Sequence, residues 1–199
     1  MLEVLYEDNH LIAINKKSGD IVQGDKTGDA PLSDFVKAYI KKKYNKPGDV
    51  FLGTIHRLDR PTSGIVLYAR TSKALTRMNE QFREKQVQKT YWAVVDNAPP
   101  NTSGTLENYL QKNQKQNKSF ITKTEDGKHA VLNFKLLKKL DNFYHLEVKP
   151  KTGRHHQIRV QLANIGCIIK GDLKYGAKRS NKDASIHLLA QKLEFIHPV

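Results

Sequence analysis

Side chains able to attack, move a proton or bind an anion gather in two segments and one strand. The first segment, His56-Arg57-Leu58-Asp59-Arg60-Pro61-Thr62-Ser63-Gly64, is polar, charged and turn-forming and lies between two strand-like runs, so it reads as a loop. Within it Asp59 is flanked by Arg57 and Arg60. Nearby positive charge favours the ionised carboxylate, the form required of a nucleophile or a base. An aspartate that caps a turn or pairs with an arginine is the bland alternative, and composition does not choose between the two.

The second segment, Thr152-Gly153-Arg154-His155-His156-Gln157-Ile158-Arg159-Val160-Gln161, begins a helix directly after an apolar strand. Such a junction can present several side chains and free backbone amides to an anion. Arg159 follows Ile158 and so lies beside the apolar face, where it can reach into a cleft and pair with a carboxylate or snorkel over the core. His155 and His156 are adjacent rather than three or four apart, which argues against a shared metal site on one helical face, and no metal is assigned. In Lys89-Thr90-Tyr91-Trp92-Ala93-Val94-Val95, strand alternation places Tyr91 and Trp92 on opposite faces. A tyrosine facing a cleft can stack on a base and use its hydroxyl; otherwise it is ordinary core. No phosphate-binding Walker loop, dinucleotide fingerprint or Ser/Cys nucleophile motif is present in the sequence.

The strands and helices expected around these segments are short and mixed. Two strands about the Asp8-Asn9 turn, closed by Lys16-Lys17-Ser18-Gly19, predict an opening hairpin. Ser33 is placed to cap a helix with Phe35, Val36, Tyr39 and Ile40 on one stripe, ending in Lys41-Lys42-Lys43. A second helix is expected over 71–85, capped by Thr71 or Ser72, with Ala74, Leu75, Met78 and Phe82 inward. Strands are expected over 65–69 and 90–95, a turn-rich loop over 97–104, and then strands over 120–124, 130–137 and 143–148, with turns at Glu125-Asp126-Gly127 and Asp141-Asn142. A third helix over 154–165 would bury Ile158, Leu162 and Ile165 and end at Gly166, and a last strand covers 186–195. Strands and helices without a regular βαβ rhythm predict an α+β fold.

Composition narrows the partners. The 199 residues carry 34 Lys+Arg against 20 Asp+Glu, a formal charge of +14, with 38% hydrophobic residues. That fits a globular chain drawn to polyanions, nucleic acid first, with the lysine runs spread through the folded pattern and a Lys/Gln/Asn patch over 112–118. Any single run also reads as a solvated face. Apolar stretches are too short for a membrane helix, and the N-terminus lacks the basic-then-apolar pattern of a leader. The single cysteine, Cys167, rules out an internal disulfide and suits a reducing compartment, so a cytoplasmic protein is expected.

Taken together these segments resemble the RluA-type RNA pseudouridine synthases, in the expected order from Val4 to Pro198. His56-Arg57-Leu58-Asp59 with Thr62-Ser63-Gly64 is similar to that family's most specific motif, which contains its essential aspartate. Lys89-Thr90-Tyr91 resembles its Lys-x-Tyr segment. Thr152-Gly153-Arg154-x-His156-Gln157-Ile158-Arg159, with Gly171-Asp172 and Tyr175-Gly176, resembles its third block. Ile186-His187-Leu188 and Phe195-Ile196-His197-Pro198 resemble its closing strand. Lys16-Lys17-Ser18-Gly19 departs slightly from the usual Lys-Pro-x-Gly, Gln161 stands where histidine is common, and the chain stops at Val199 where relatives usually continue.

The resemblance implies a pseudouridine synthase catalytic fold: a mixed, mostly antiparallel sheet flanked by helices, with a catalytic cleft, as a single domain over 1–199 without a separate N-terminal RNA-binding domain. It implies isomerisation of specific uridines in structured ribosomal or transfer RNA, with no cofactor, no metal, no membrane and a monomer as the default. Asp59 would be the catalytic carboxylate, attacking the base or ribose or removing a ribose proton. Arg159 would keep it ionised, because an unpaired buried charge costs several kcal/mol. Tyr91 would stack on the target ring. Arg57 could fill the space left by an extruded uridine, with Lys89, Arg154 and His156 as further RNA-contact candidates. The rival readings are a non-catalytic basic RNA-binding or ribosome-assembly protein and a nucleoside hydrolase.

Overall fold

A computed structural model describes residues 2–24, 28–123 and 126–199. The chain divides into two compact units: residues 1–87 together with 193–199, and residues 88–192.

The first unit opens with the expected hairpin, β1 (Val4–Glu7) and β2 (Leu11–Lys16), and β2 pairs antiparallel with β4 (Ser63–Ala69) in an unbroken register from Leu11↔Ala69 to Lys16↔Gly64. The short β3 (Gly53–Thr54) also lies against β4. Asp8 makes the hairpin turn, accepting from the amides of His10 at 2.7 Å and Leu11 at 2.6 Å. Helix α1 (Leu32–Lys43) buries Leu32, Val36 and Ile40. Ser33 does not cap it: Pro31 holds the N-cap position, where a fixed φ suits helix entry and no side-chain bond is made. Phe35 turns outward, 57% exposed. Tyr39 instead reaches the Glu7 carboxylate at 2.9 Å, which also accepts from Lys43, Tyr44 and Arg70 and so fastens the helix to the hairpin.

Helix α2 (Ser72–Arg83) is capped as expected, with Thr71 Oγ1 accepting from Ala74 N at 3.2 Å. Ala74 and Met78 pack with Leu11, Leu67 and Ala69. The C-terminal residues close this unit: Gln81 donates to Ile196 O at 2.7 Å and accepts from Ile196 N at 3.1 Å, Arg77 donates to Pro198 O, and Phe195 joins the core.

The second unit is built from β5 (Gln88–Val95), β6 (Ser103–Asn113), β7 (Lys118–Thr122), β8 (Lys128–Lys139), β9 (Tyr144–Pro150) and β10 (Leu188–Glu194), whose last two residues count with the first unit. Their order is β10-β5-β9-β8-β6-β7, and the β5·β9, β9·β8, β8·β6 and β6·β7 pairs are antiparallel. Strand β6 was not expected. Its burial alternates along most of its length but its sequence is polar, so the usual hydrophobic signal is absent. The expected strand end at Thr124 and the Glu125 position of the following turn lie outside the described residues.

Helix α3 (Gln157–Asn164) starts three residues later than predicted, because Arg154 to His156 form a turn and His156 takes a left-handed conformation, φ 53°. It ends as predicted at Gly166, φ 80°. Ile158 and Leu162 pack with Ala93, Leu132, Leu146 and Val148 in the core of this unit. Among the described residues no helix is long and apolar enough to cross a membrane.

Candidate active site

Asp59 lies on the loop between β3 and β4, as its motif predicted, and is half-buried. The loop is fixed from below. Lys16, the last residue of β2, is fully buried, and its Nζ donates to Lys17 O at 3.0 Å, Arg60 O at 3.1 Å and Thr62 O at 2.7 Å. Ser18 Oγ donates to Pro61 O at 3.1 Å, and Gly19 N to Arg60 O at 2.9 Å from a positive φ of 94° that suits glycine. Thr62 N closes a turn onto Asp59 O at 3.0 Å.

Three successive carbonyls just after Asp59 are therefore held by the Lys16–Gly19 turn. Burial lowers the Lys16 pKa to about 8, with the carboxylates of Asp20 and Asp59 pulling the other way. His56, the first residue of the motif, stacks on Phe82 at 5.4 Å and accepts from Leu67 N at 3.1 Å, so it anchors the loop to β4 and α2. Leu58 is buried, Arg57 is exposed, and Arg60 reaches Asp29 at 2.7 Å.

The other candidates belong to the second unit. Tyr91 stands opposite Val148 and packs half-buried on the core, while Trp92 turns to the other face, 38% exposed and edge-on to His145. Lys89 shares the Tyr91 face, and burial lowers its pKa. Its Nζ is 3.6 Å from where a Cβ on Gly153 would sit, so the structure brings Lys89 to the 152–156 turn. That turn is organised by Gln157, whose Oε1 accepts from Thr152 Oγ1 at 2.8 Å and Arg154 N at 3.0 Å. Arg154 is exposed and donates through Nε to His129 O at 2.8 Å.

His156 is 7% exposed, stacks on His155 at 3.8 Å and meets the Tyr175 hydroxyl at 2.9 Å. Burial, reinforced by the Arg159 charge, lowers its pKa to about 2, so the ring is neutral near pH 7. Arg159 is 4% exposed and forms a bidentate pair with the buried Asp172, Nε to Oδ2 at 2.7 Å and Nη2 to Oδ1 at 2.8 Å. Its Cζ lies 5.1 Å from the Tyr175 ring centroid.

The contacts of Asp172 and Tyr175 and the depth of Lys16 have no signature in the sequence. Asp172 and Tyr175 belong to segments singled out in the sequence, but a pairing across 13 residues leaves no local pattern. Gly171 before Asp172 is explained by its surroundings: φ is 86°, and a Cβ would sit 2.6 Å from Ser185 O.

Residues 10–164 match the model of the family described as RNA pseudouridylate synthase. The chain belongs to that family. Among curated relatives it is 36% identical over 203 positions to "Ribosomal large subunit pseudouridine synthase C" of Buchnera aphidicola subsp. Acyrthosiphon pisum (strain APS), covering 98% of this chain and 63% of that one. It is 38% identical over 178 positions to the protein of the same name from Rickettsia felis, covering 88% and 56% respectively. The chain thus spans somewhat more than half the length of these relatives. The solved structure of human RNA Pseudouridylate Synthase Domain Containing 4 superposes with a TM-score of 0.81 at 24% identity, covering 97% of this chain and 84% of that one. The α+β pseudouridine synthase fold expected from the motifs is therefore the fold of this chain.

Proposed function

We propose that the protein is an RNA pseudouridine synthase that isomerises uridines in structured RNA, with Asp59 as the catalytic carboxylate. Family membership supports the reaction class, and the names of the curated relatives point to large-subunit ribosomal RNA as the first substrate to try, with transfer RNA as the second. The observation that carries the assignment of Asp59 is its support: a half-buried carboxylate on a loop whose next three carbonyls are gripped by a buried ammonium, a hydroxyl and a backbone amide. A group that must meet one atom of an extruded nucleotide gains most from such a fixed position.

In the reaction the C1′–N1 bond breaks, the uracil turns, C5 bonds to C1′, and the proton lost at C5 is balanced by one gained at N1. Every atom of the substrate is kept and no electron leaves, so the chemistry calls for no redox cofactor. Tyr91 is assigned to stack on the target ring, and Arg159, locked by Asp172, to supply the positive charge of the catalytic set. Lys89 and Arg154 are assigned to phosphates, Arg57 to the space vacated in the RNA, and His156 to a contact made by a neutral ring. The cytoplasm is the compartment that suits this substrate and the single cysteine.

The test is incubation of the purified protein with unmodified ribosomal and transfer RNA transcripts, followed by nucleoside analysis and site mapping. Pseudouridine at defined positions is the expected product. Release of free uracil would show a hydrolase instead, and binding without either product a non-catalytic RNA-binding protein.

A further inference from the structure

The Lys/Gln/Asn patch at residues 112–118 is the tip of the β6–β7 hairpin, and the catalytic reading makes no use of it. In that hairpin Gln111 pairs with Phe120, Lys112 with Ser119 and Asn113 with Lys118. Gln111, Lys112, Asn113, Gln114, Lys115 and Phe120 line a hollow of about 480 Å³. Phe120 is 40% exposed beside a tip, residues 111–119, that is otherwise wholly polar. The Lys118 ammonium lies 5.3 Å from its ring centroid. Among the described residues, none of Lys112, Lys115 and Lys118 has a carboxylate partner.

The tip is also held in shape before anything binds. Gln116 N donates to Asn113 Oδ1 at 3.0 Å, and Lys174 Nζ to Asn117 O at 3.1 Å. Ser119 turns inward, its hydroxyl donating to His155 O at 2.7 Å and its amide to the Tyr175 hydroxyl at 2.9 Å. The inner face of the hairpin is thereby anchored to the turn before α3 and to Tyr175, and Lys118 lies 5.0 Å from the centroid of the same Tyr175 ring that Arg159 approaches.

We infer that this hollow is a second RNA-contact site, which takes one unpaired nucleotide with its base stacked on Phe120 and its phosphates among Lys112, Lys115 and Lys118. The inference rests on the RNA reading above and adds a subsite to it. Each part of the chemistry matches. A half-exposed aromatic flanked by cations is the arrangement that binds single strands without a strict sequence rule. Side-chain amides of Gln111, Asn113 and Gln114 offer donors and acceptors to base edges. Uncompensated ammonium groups suit phosphate. A duplex keeps its bases stacked inside and cannot place one on the ring, so the site selects unpaired RNA.

The test compares binding of a short single-stranded oligouridylate and of a blunt RNA duplex of equal length, by fluorescence anisotropy. Phe120→Ala is expected to weaken single-strand binding about tenfold, within the range found for one base-stacking aromatic, and duplex binding less than twofold. Phe120→Tyr should restore it. Replacing Lys112, Lys115 and Lys118 by Gln should reduce the salt slope for the single strand by about 2. Because all four side chains sit at the surface of the hairpin, melting temperature should not change.

Single-strand affinity of Phe120→Ala equal to wild type, or an equal loss on both RNAs, would overturn the inference. The RNA reading itself fails separately, when the wild-type protein neither binds nor isomerises RNA. Intact isomerisation together with a silent Phe120→Ala discards the hairpin site alone.

Discussion

At the scale of single residues, the buried pairs decide what a substitution does. Arg159 and Asp172 are both buried and satisfy each other through two short hydrogen bonds. Removing one charge leaves the other stranded, so Asp172→Asn is expected to lower stability by about 3–5 kcal/mol, measured by urea unfolding. It should also slow the reaction by freeing the Arg159 guanidinium. Lys16 predicts a comparable sensitivity: Lys16→Ala removes the donor to Lys17 O and to two carbonyls of the Asp59 loop, Arg60 O and Thr62 O, and leaves a cavity, a loss of stability visible in the same assay.

His156 gives the pH dependence its sign. Its folded pKa is lowered to about 2 from an ordinary 6.5, so below pH 6.5 the unfolded chain binds a proton that the folded chain refuses. Stability is expected to fall as pH drops from 6.5, by up to about 1.4 kcal/mol per pH unit from this residue alone. Thermal melts of His156→Gln across that window should show a shallower decline than wild type. Asp59, Tyr91 and Arg159 stand out in the sequence as candidates because each sits in a compact polar or aromatic segment. Asp172 carried no assigned role, since its partner is far along the chain and charge pairing has no periodicity.

At the scale of elements, propensity and turn chemistry predicted α2, its Thr71 cap, the hairpin, the strands around Tyr91 and the Gly166 terminus. The misses have local causes. Polar β6 hides its alternation, Pro31 displaces Ser33 from the cap of α1, and the Gln157 side chain holds Arg154 in a turn that delays α3. The spacing of α1 predicts Tyr39 on the buried stripe, but a hydroxyl within reach of Glu7 draws it to the rim of the helix. Gly171 shows how one backbone position sets a site: it lies immediately before Asp172, at a positive φ and against the Ser185 carbonyl. Gly171→Ala combines left-handed strain with a clash against backbone and is expected to cost about 2 kcal/mol or more. The melting temperature should drop with it, while exposed Gly48→Ala, which meets nothing, should not show that loss.

At the scale of the whole molecule, the sequence showed the charge and the order of the motifs, and both led to the family. The division into two compact units was not legible, because the chain returns: residues 193–199 pack with the first unit after the second is complete. A hydrophobic pattern read along the chain has no means of marking such a return. With 34 Lys+Arg against 20 Asp+Glu, RNA binding should weaken steeply as salt rises, through counterion release. A binding constant that stays flat between low and physiological salt would contradict that.

The central claim is that the Asp59 carboxylate does the chemistry. Asp59→Asn keeps the shape and hydrogen-bonding reach of the side chain while removing its charge, so the fold and RNA affinity should survive. The decisive measurement is pseudouridine formed per enzyme on a transcript that the wild-type protein modifies, taken beside the binding constant for the same transcript. The account predicts no detectable product with affinity within a few-fold of wild type. Product at a comparable rate would contradict it.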